Sequence, residues 1–253
     1  MCAVSVGGSQ VKLVQFDLAA ADVSKAIGNR FLQETRGVTA LFERVFPGLR
    51  TEDVWKVRVE CRDKAEDHEW APALGVQFVD VDCDVTAVLA LEREERKRRF
   101  LELLCSGLEK VAARYGWPWE PFEEARRKAL DLELRNEWTW KKQRWSKGRR
   151  LVGRLRCVHE FEAFRAWLVV EGRDGVEVAR KQVLETRPDE FAFARFFGDI
   201  RWISPGRVAL LAKNGSEVGC VEVPRALLEG SAERKPRKEK EPRSRSKRSS
   251  PSS

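Results

Sequence analysis

Histidine is nearly missing from this chain: 253 residues hold two, His68 and His159, with one Met and one Tyr. So few imidazoles leave little material for a histidine-built metal site or proton relay. The six cysteines (2, 61, 83, 105, 157 and 220) never form a Cys-x-x-Cys pair, which removes the usual zinc and dithiol spacings. The glycines form neither G-x-x-x-x-G-K nor G-x-G-x-x-G, so no phosphate-cradling loop is expected, and "SVGGSQ" is a lone glycine pair. No stretch approaches the roughly 20 apolar residues needed to cross a bilayer. Gln10, Lys12, Gln15 and Asp17 leave no apolar core for a signal peptide. These absences predict a cytoplasmic chain with reduced thiols. They predict no membrane association, no cofactor, no resident metal and no catalytic set.

What is abundant is charge and tryptophan. Charged residues make up 35% of the chain and there are nine Trp, a side chain suited equally to cores and to binding surfaces. The net charge of +8 is unevenly placed. Residues 231–253, "SAERKPRKEKEPRSRSKRSSPSS", hold nine Lys/Arg and three Glu, so residues 1–230 carry only about +2. With no apolar residue beyond Ala232, this tail cannot offset the entropy of ordering, and it reads as disordered. A polycation of this kind implies weak, sequence-independent contact with nucleic acid.

Periodicity predicts an α+β fold: an antiparallel sheet, one long and several short helices, and the basic tail. "VKLVQFDL" (11–18) reads as a strand, and residues 21–46 as two short helices broken near Gly37. "VWKVRVEC" (54–61) alternates strictly, with Val54, Lys56, Arg58 and Glu60 on one face and Trp55, Val57, Val59 and Cys61 on the other, the pattern of a half-buried strand. "GVQFVDVDCD" (75–84) is expected to pair antiparallel with it. A polar loop holding Asp67, His68 and Glu69 lies between them. The long helix is expected at 92–116, where Phe100, Leu104, Leu108, Val111, Ala112 and Tyr115 make an apolar stripe. Pro121 suits the first turn of a second helix over 118–135.

From residue 136 the period becomes two, with turn residues at intervals. This suggests an α+β half at 1–135 and an antiparallel half at 136–230, as two domains or as one continuous domain, before the tail at 231–253. Strands are expected near 138–145, 150–159, 163–171, 176–184, 200–204, 207–213 and 217–223, with a short helical piece at "DEFAFARFF". Asn214-Gly215 is the strongest of the hairpin signals.

"NEWTWKKQRWSKGRRLVGRLR" (136–156) is the most suggestive stretch, with three Trp among eight Lys/Arg. A two-residue turn at Lys147-Gly148 would pair Trp138 with Cys157, Trp140 with Leu155 and Arg144 with Leu151. Alternation then puts Trp138, Trp140, Leu151, Leu155 and Cys157 on an apolar face. Lys141, Gln143, Trp145, Arg154 and Arg156 form the other. The candidate binding residues are therefore Trp145, Lys141, Arg154 and Arg156.

Two chemical clusters compete with that surface. Asp80, Asp82 and Asp84 share one side of a strand end near Glu60, and carboxylates so grouped can hold a divalent cation for hydrolysis. The bland alternative is a polar face relieved by Lys56 and Arg58. Cys157 and His159 share a strand face and could be imagined as a nucleophile pair, but no oxyanion-donor loop accompanies them.

"FLELLCSGLEKVAARYGWPWEPFEEARRKAL" (100–130), followed by Trp-rich antiparallel strands, resembles uncharacterised cytosolic proteins of high-GC bacteria, some of immunity type. That resemblance covers about half the chain and transfers no residue role. It implies a bacterial protein of immunity type that neutralises a partner toxin; the missing catalytic set and the many Trp point to a non-enzymatic protein-binding protein, and the Trp/Arg/Lys face to a protein partner of acidic character. The alternatives are a nucleic-acid-associated protein using the Trp/Arg/Lys hairpin and tail, and a metal-dependent hydrolase centred on Asp80, Asp82 and Asp84.

Overall fold

The computed structural model describes residues 10–66, 71–224 and 226. His68, Cys2, Gly7, Gly8 and the basic tail lie outside them. Among the described residues the fold is α+β, with strands β1 (Val11–Leu13), β2 (Gln15–Ala20), β3 (Leu49–Thr51), β4 (Lys56–Arg62) and β5 (Val76–Asp82) in the first half. Its helices are α1 (Lys25–Val45), α2 (Val85–Ala90), α3 (Arg93–Tyr115) and α4 (Glu120–Asp131). The second half is antiparallel: β6 (Asn136–Trp145), β7 (Leu151–His159), β8 (Phe164–Gly172), β9 (Glu177–Thr186), the short α5 (Glu190–Phe193), β10 (Asp199–Ser204), β11 (Arg207–Leu211) and β12 (Glu217–Glu222).

Three expectations for the first half need correction. The strand at 11–18 is two strands: β1 pairs antiparallel with β3, while β2 pairs with β4 in a parallel sheet of order β2-β4-β5. The β4–β5 pair is parallel, with Val59 opposite Val79 and Glu60 opposite Asp80, so one antiparallel sheet does not run through both halves. The third correction concerns residues 25–45, which form one continuous helix. Gly37 does not break it: a Cβ there would lie 3.2 Å from the His159 carbonyl, so the missing side chain serves contact with β7 rather than a turn.

Strict alternation in β4 buries Val57, Val59 and Cys61 beneath α3, whose stripe of Phe100, Leu104, Leu108 and Val111 is fully enclosed. Phe16, Phe42, Phe46 and Phe122 meet edge to face, tilted or, for Phe42 on Phe46, stacked, with ring centres 5.0–6.3 Å apart. Helix α3 ends at Gly116, in the left-handed region at φ 65°. Where α3 crosses the sheet, a Cβ on Gly107 would fall 2.4 Å from Val59 Cγ2. Gly107→Val is therefore expected to destabilise the fold by about 1–3 kcal/mol in urea denaturation, with overpacking outweighing the helix propensity gained.

Strand β2 is an edge strand, yet its outer backbone is closed by side chains of α1. The Phe16 amide donates to Glu43 Oε1 (2.9 Å), Arg36 Nη1 donates to the Phe16 carbonyl (3.4 Å) and Thr35 Oγ1 donates to the Leu18 carbonyl (3.1 Å). This protects an otherwise open ladder from pairing with another chain. Arg36 also pairs with Glu43 (2.9 Å) and Glu190 (2.7 Å). Burial alone would depress the guanidinium pKa, but the hydrogen bonds to Glu190 and Glu43 outweigh it and the net direction is upward. Burial holds the Glu43 carboxyl above its ordinary value, offset in part by Arg36.

In the second half, the sheet β6-β7-β8-β9 packs its inner face on the sheet β10-β11-β12. Leu155, Cys157, Phe164, Leu168 and Val170 meet Ile200, Val208, Leu210 and Val221 between them. The two halves also touch. Asn136 Nδ2 donates to the Gly37 carbonyl (3.0 Å), and Phe161 packs on Phe100 with ring centres 5.8 Å apart.

His159 is buried at this junction, its Nε2 3.1 Å from the Pro188 carbonyl and its ring against Phe164 and Phe193. Burial lowers its pKa, opposed by nearby Glu190, the Pro188 carbonyl and Asp189 and reinforced by Arg36. A depressed histidine contributes stability that is fully present above its ordinary value of 6.5 and is lost as the pH falls through the lower folded-state value. Stability should therefore fall as the pH is lowered from 7 to 5. His159→Gln should flatten that slope; an unchanged urea-midpoint profile would refute the assignment.

Candidate functional site

The hairpin at 136–159 keeps the inward and outward faces read from the sequence, but not its register or turn. Trp138 pairs with Cys157 as expected, and a bulge between Thr139 and Gln143 then shifts the ladder. Arg144 consequently faces Gly153 rather than Leu151, Trp145 faces Val152, and Trp140 has no partner at Leu155. The turn is five residues, Ser146 to Arg150, closed by the Ser146 amide donating to the Leu151 carbonyl (2.8 Å). Trp138 and Trp140 turn inward onto Phe164 and Phe197, with ring centres 5.8 and 5.3 Å apart. Trp145 stays 37% exposed on the outer face.

Cross-strand pairing lays that outer face out in rows. Thr139, Arg156, Trp167 and Gln182 make one row; Gln143, Arg154, Val169 and Arg180 the next; Trp145, Val152, Glu171 and Glu177 the third. The acids of the third row receive the cations of the others. Arg154 Nε lies 2.9 Å from Glu171 Oε2, Arg156 Nη2 lies 2.7 Å from Glu171 Oε1, and Arg156 Nη1 lies 3.2 Å from Glu177. Arg180 stacks over Trp167 at 5.0 Å. Val152 and Val169 share this face and are fully buried, so the aliphatic stems of the arginines and the indoles lie across them.

The four candidate residues therefore separate. Arg154 and Arg156 are neutralised by acids from β8 and β9 and act as a cover for the sheet. Lys141 falls in the bulge, exposed and outside the rows. Trp145 keeps its exposure but has different neighbours from those predicted, because it is the last residue of β6 and opens onto the turn.

That end of the sheet is cationic. Residues 146–150 carry Lys147, Arg149 and Arg150, and the adjacent turn between β8 and β9 carries Arg173. Arg173 Nε donates to the Arg149 carbonyl (2.6 Å), tying the two turns together. Arg149 adopts φ 51°, a left-handed conformation that bends the chain over this contact. Asp174 is the acid of these turns, and its carboxylate accepts from the Val176 amide (3.1 Å). Lys147, Arg149 and Arg173 meet no carboxylate within ion-pair distance among the described residues, and Val176 beside them is exposed. The result is one indole bordered by three uncompensated cations. Sequence reading passed over Arg173 because its proximity depends on the register of β7 with β8.

The competing chemistry is engaged elsewhere. Asp80, whose side chain is enclosed, pairs with Arg62 (2.7 Å) and accepts from the Glu66 amide (3.3 Å). Asp82 accepts from the Ala65 amide (2.7 Å), and Asp84 caps α2 by accepting from the Ala87 amide (2.9 Å). The relieving cation is Arg62 rather than Lys56, which pairs with Asp17, or Arg58, which pairs with Glu60. No group of three or more His, Cys, Asp or Glu among the described residues is arranged to hold a metal ion. Burial pushes the Cys157 thiol up to about 12, so it is protonated at neutral pH and not a nucleophile. Cys61, Cys83, Cys105 and Cys157 are free and buried.

Among the described residues no helix is long and apolar enough to cross a membrane. No protein-family model, no curated protein and no solved structure matches the chain.

Removing the carboxylate that serves both arginines tests the charge balance of the sheet face. Glu171→Gln should cost only about 0.5–1.5 kcal/mol, because the guanidinium groups it leaves are partly solvated. A loss above about 3 kcal/mol in urea denaturation would mean that the two guanidinium groups are desolvated rather than partly solvated.

Proposed function

We propose that this chain is a non-enzymatic, cytoplasmic, bacterial protein-binding protein of immunity type that neutralises a partner toxin. Its docking surface is the Trp145 end of the four-stranded sheet, and its partner presents an acidic protein surface. The observation that carries this reading is the juxtaposition of a part-exposed indole with Lys147, Arg149 and Arg173, beside a sheet face where Arg154 and Arg156 are ion-paired with Glu171 and Glu177. Trp and Arg are favoured anchors where one apolar contact is ringed by polar ones, and the uncompensated cations select an acidic counterpart. A sheet face beside the indole whose Arg154 and Arg156 are already engaged by Glu171 and Glu177 suits a protein interface better than a polyanion track, which uses free cations along its length.

The test is affinity isolation of the full chain from its own cells, followed by reconstitution with the recovered protein. A stoichiometric acidic partner is expected, with binding weakened at least about a hundredfold by Trp145→Ala combined with Lys147→Glu. Recovery of no tight protein partner would contradict the proposal. So would a complex indifferent to those substitutions, or one that nucleic acid displaces with a steep salt dependence lost on removing residues 231–253.

A further inference from the structure

A cavity of about 820 Å³ lies where the two halves meet, at the start of the parallel strands. That is the size of a small-ligand site, and boundaries between structural units are where such sites concentrate. Three large apolar side chains from distant parts of the chain converge on it while keeping much of their surface in water. They are Leu32 of α1 (43% exposed), Trp55 before β4 (38%) and Phe191 of α5 (93%). Val14 and Leu74, also exposed, adjoin Trp55: the Val14 amide donates to the Trp55 carbonyl (3.0 Å), and Trp55 Nε1 donates to the Leu74 carbonyl (3.0 Å). That bond fixes the indole plane, and Gly75 leaves room for it, since a Cβ there would fall 2.4 Å from the ring.

The lining also holds the amides Gln15, Asn29 and Gln33, but its charged side chains are mostly paired with one another. Lys56 pairs with Asp17 (2.5 Å) and Arg36 with Glu190 (2.7 Å), while Asp189 accepts from the Phe191 amide (2.9 Å). Arg187 is the exception: exposed on the wall, it meets no carboxylate in ion-pair reach among the described residues. An extended peptide could not add to the neighbouring strand, because Glu43, Arg36 and Thr35 already occupy the outer backbone groups of β2. A compact occupant fits instead.

We infer that this cleft binds a small organic acid: an aromatic ring held among Trp55, Leu32 and Phe191, with its carboxylate on Arg187. The site is separate from the Trp145 surface and stands or falls independently of it. The ring gains flat apolar contact with an indole whose orientation is fixed, and the carboxylate meets the one guanidinium with donors to spare.

Titration calorimetry of the full chain with indole-3-acetate, naphthalene-1-acetate and 3-phenylpropionate tests it, with tryptamine as the cation carrying the same ring. At least one acid should bind once per chain with Kd below about 1 mM, and tryptamine should not. Phe191→Ala and Arg187→Gln should each weaken binding about tenfold or more, with thermal midpoints unchanged because both side chains are exposed. The inference is overturned if no acid saturates, if tryptamine binds as well, or if neither substitution matters. It is also overturned if an acetylated pentapeptide ending in a free Trp carboxylate binds more tightly than every free acid, which would make the cleft a chain-terminus receptor.

Discussion

Phe16→Ala should lower the unfolding free energy by about 3–5 kcal/mol, a large share of the roughly 5–15 kcal/mol that stabilises a folded protein. Phe16 has no exposed surface and sits at the centre of the ring cluster formed by Phe42, Phe46 and Phe122. Its truncation removes the apolar transfer energy of the ring and leaves a cavity bounded by β2, α1 and α4, elements too interlocked to close over it. Urea denaturation followed by circular dichroism measures the loss. A deficit under about 1.5 kcal/mol would show that this cluster is not the centre of the first core.

Arg36→Met should cost about 3–5 kcal/mol at pH 7, and the deficit should shrink as the solution is acidified. The substitution keeps the aliphatic stem but strands Glu43 and Glu190 beside each other, and it frees the Phe16 carbonyl on the β2 edge. Burial already raises the Glu43 pKa, and losing the guanidinium raises it further. A carboxyl raised in the folded state favours the low-pH side, so its contribution is present below the ordinary value near 4.5 and is lost as the pH rises through the folded-state value. The variant should therefore be closer to wild type near pH 5 than near pH 7. A deficit independent of pH would assign the loss to packing alone.

The parts of this fold legible in the sequence are those with a local cause. The α3 stripe, the alternation of β4, the hairpin signals after residue 136 and the opposite facing of Trp138 and Trp145 each follow from periods of 3.6 or 2 within one element. Errors arose where distant segments decide. Gly37 reads as a helix break until the carbonyl of His159, in another half of the molecule, is seen to need its missing Cβ. The direction of β5 relative to β4 is invisible because buried strands carry the same apolar pattern in either orientation. The candidate site shows the same limit. Arg154 and Arg156 look available in a line of text, and only the register of β7, β8 and β9 brings Glu171 and Glu177 to them. The register of the same strands brings Arg173 to the turn beside Trp145, and the packing of the two halves assembles the cleft from residues 32, 55, 187 and 191.

The central claim is that recognition occurs at the Trp145 end, while Arg154 and Arg156 on the same sheet face are engaged by Glu171 and Glu177. Placing a photo-cross-linking benzoylphenylalanine at position 145, and in a separate variant at the exposed Leu130 of α4, addresses it in the full chain in its own cells. The account predicts one dominant protein adduct from position 145, absent from position 130 and abolished when Lys147, Arg149 and Arg173 are changed to Glu. Equal adducts from both positions, or nucleic acid as the sole adduct at 145, would contradict it.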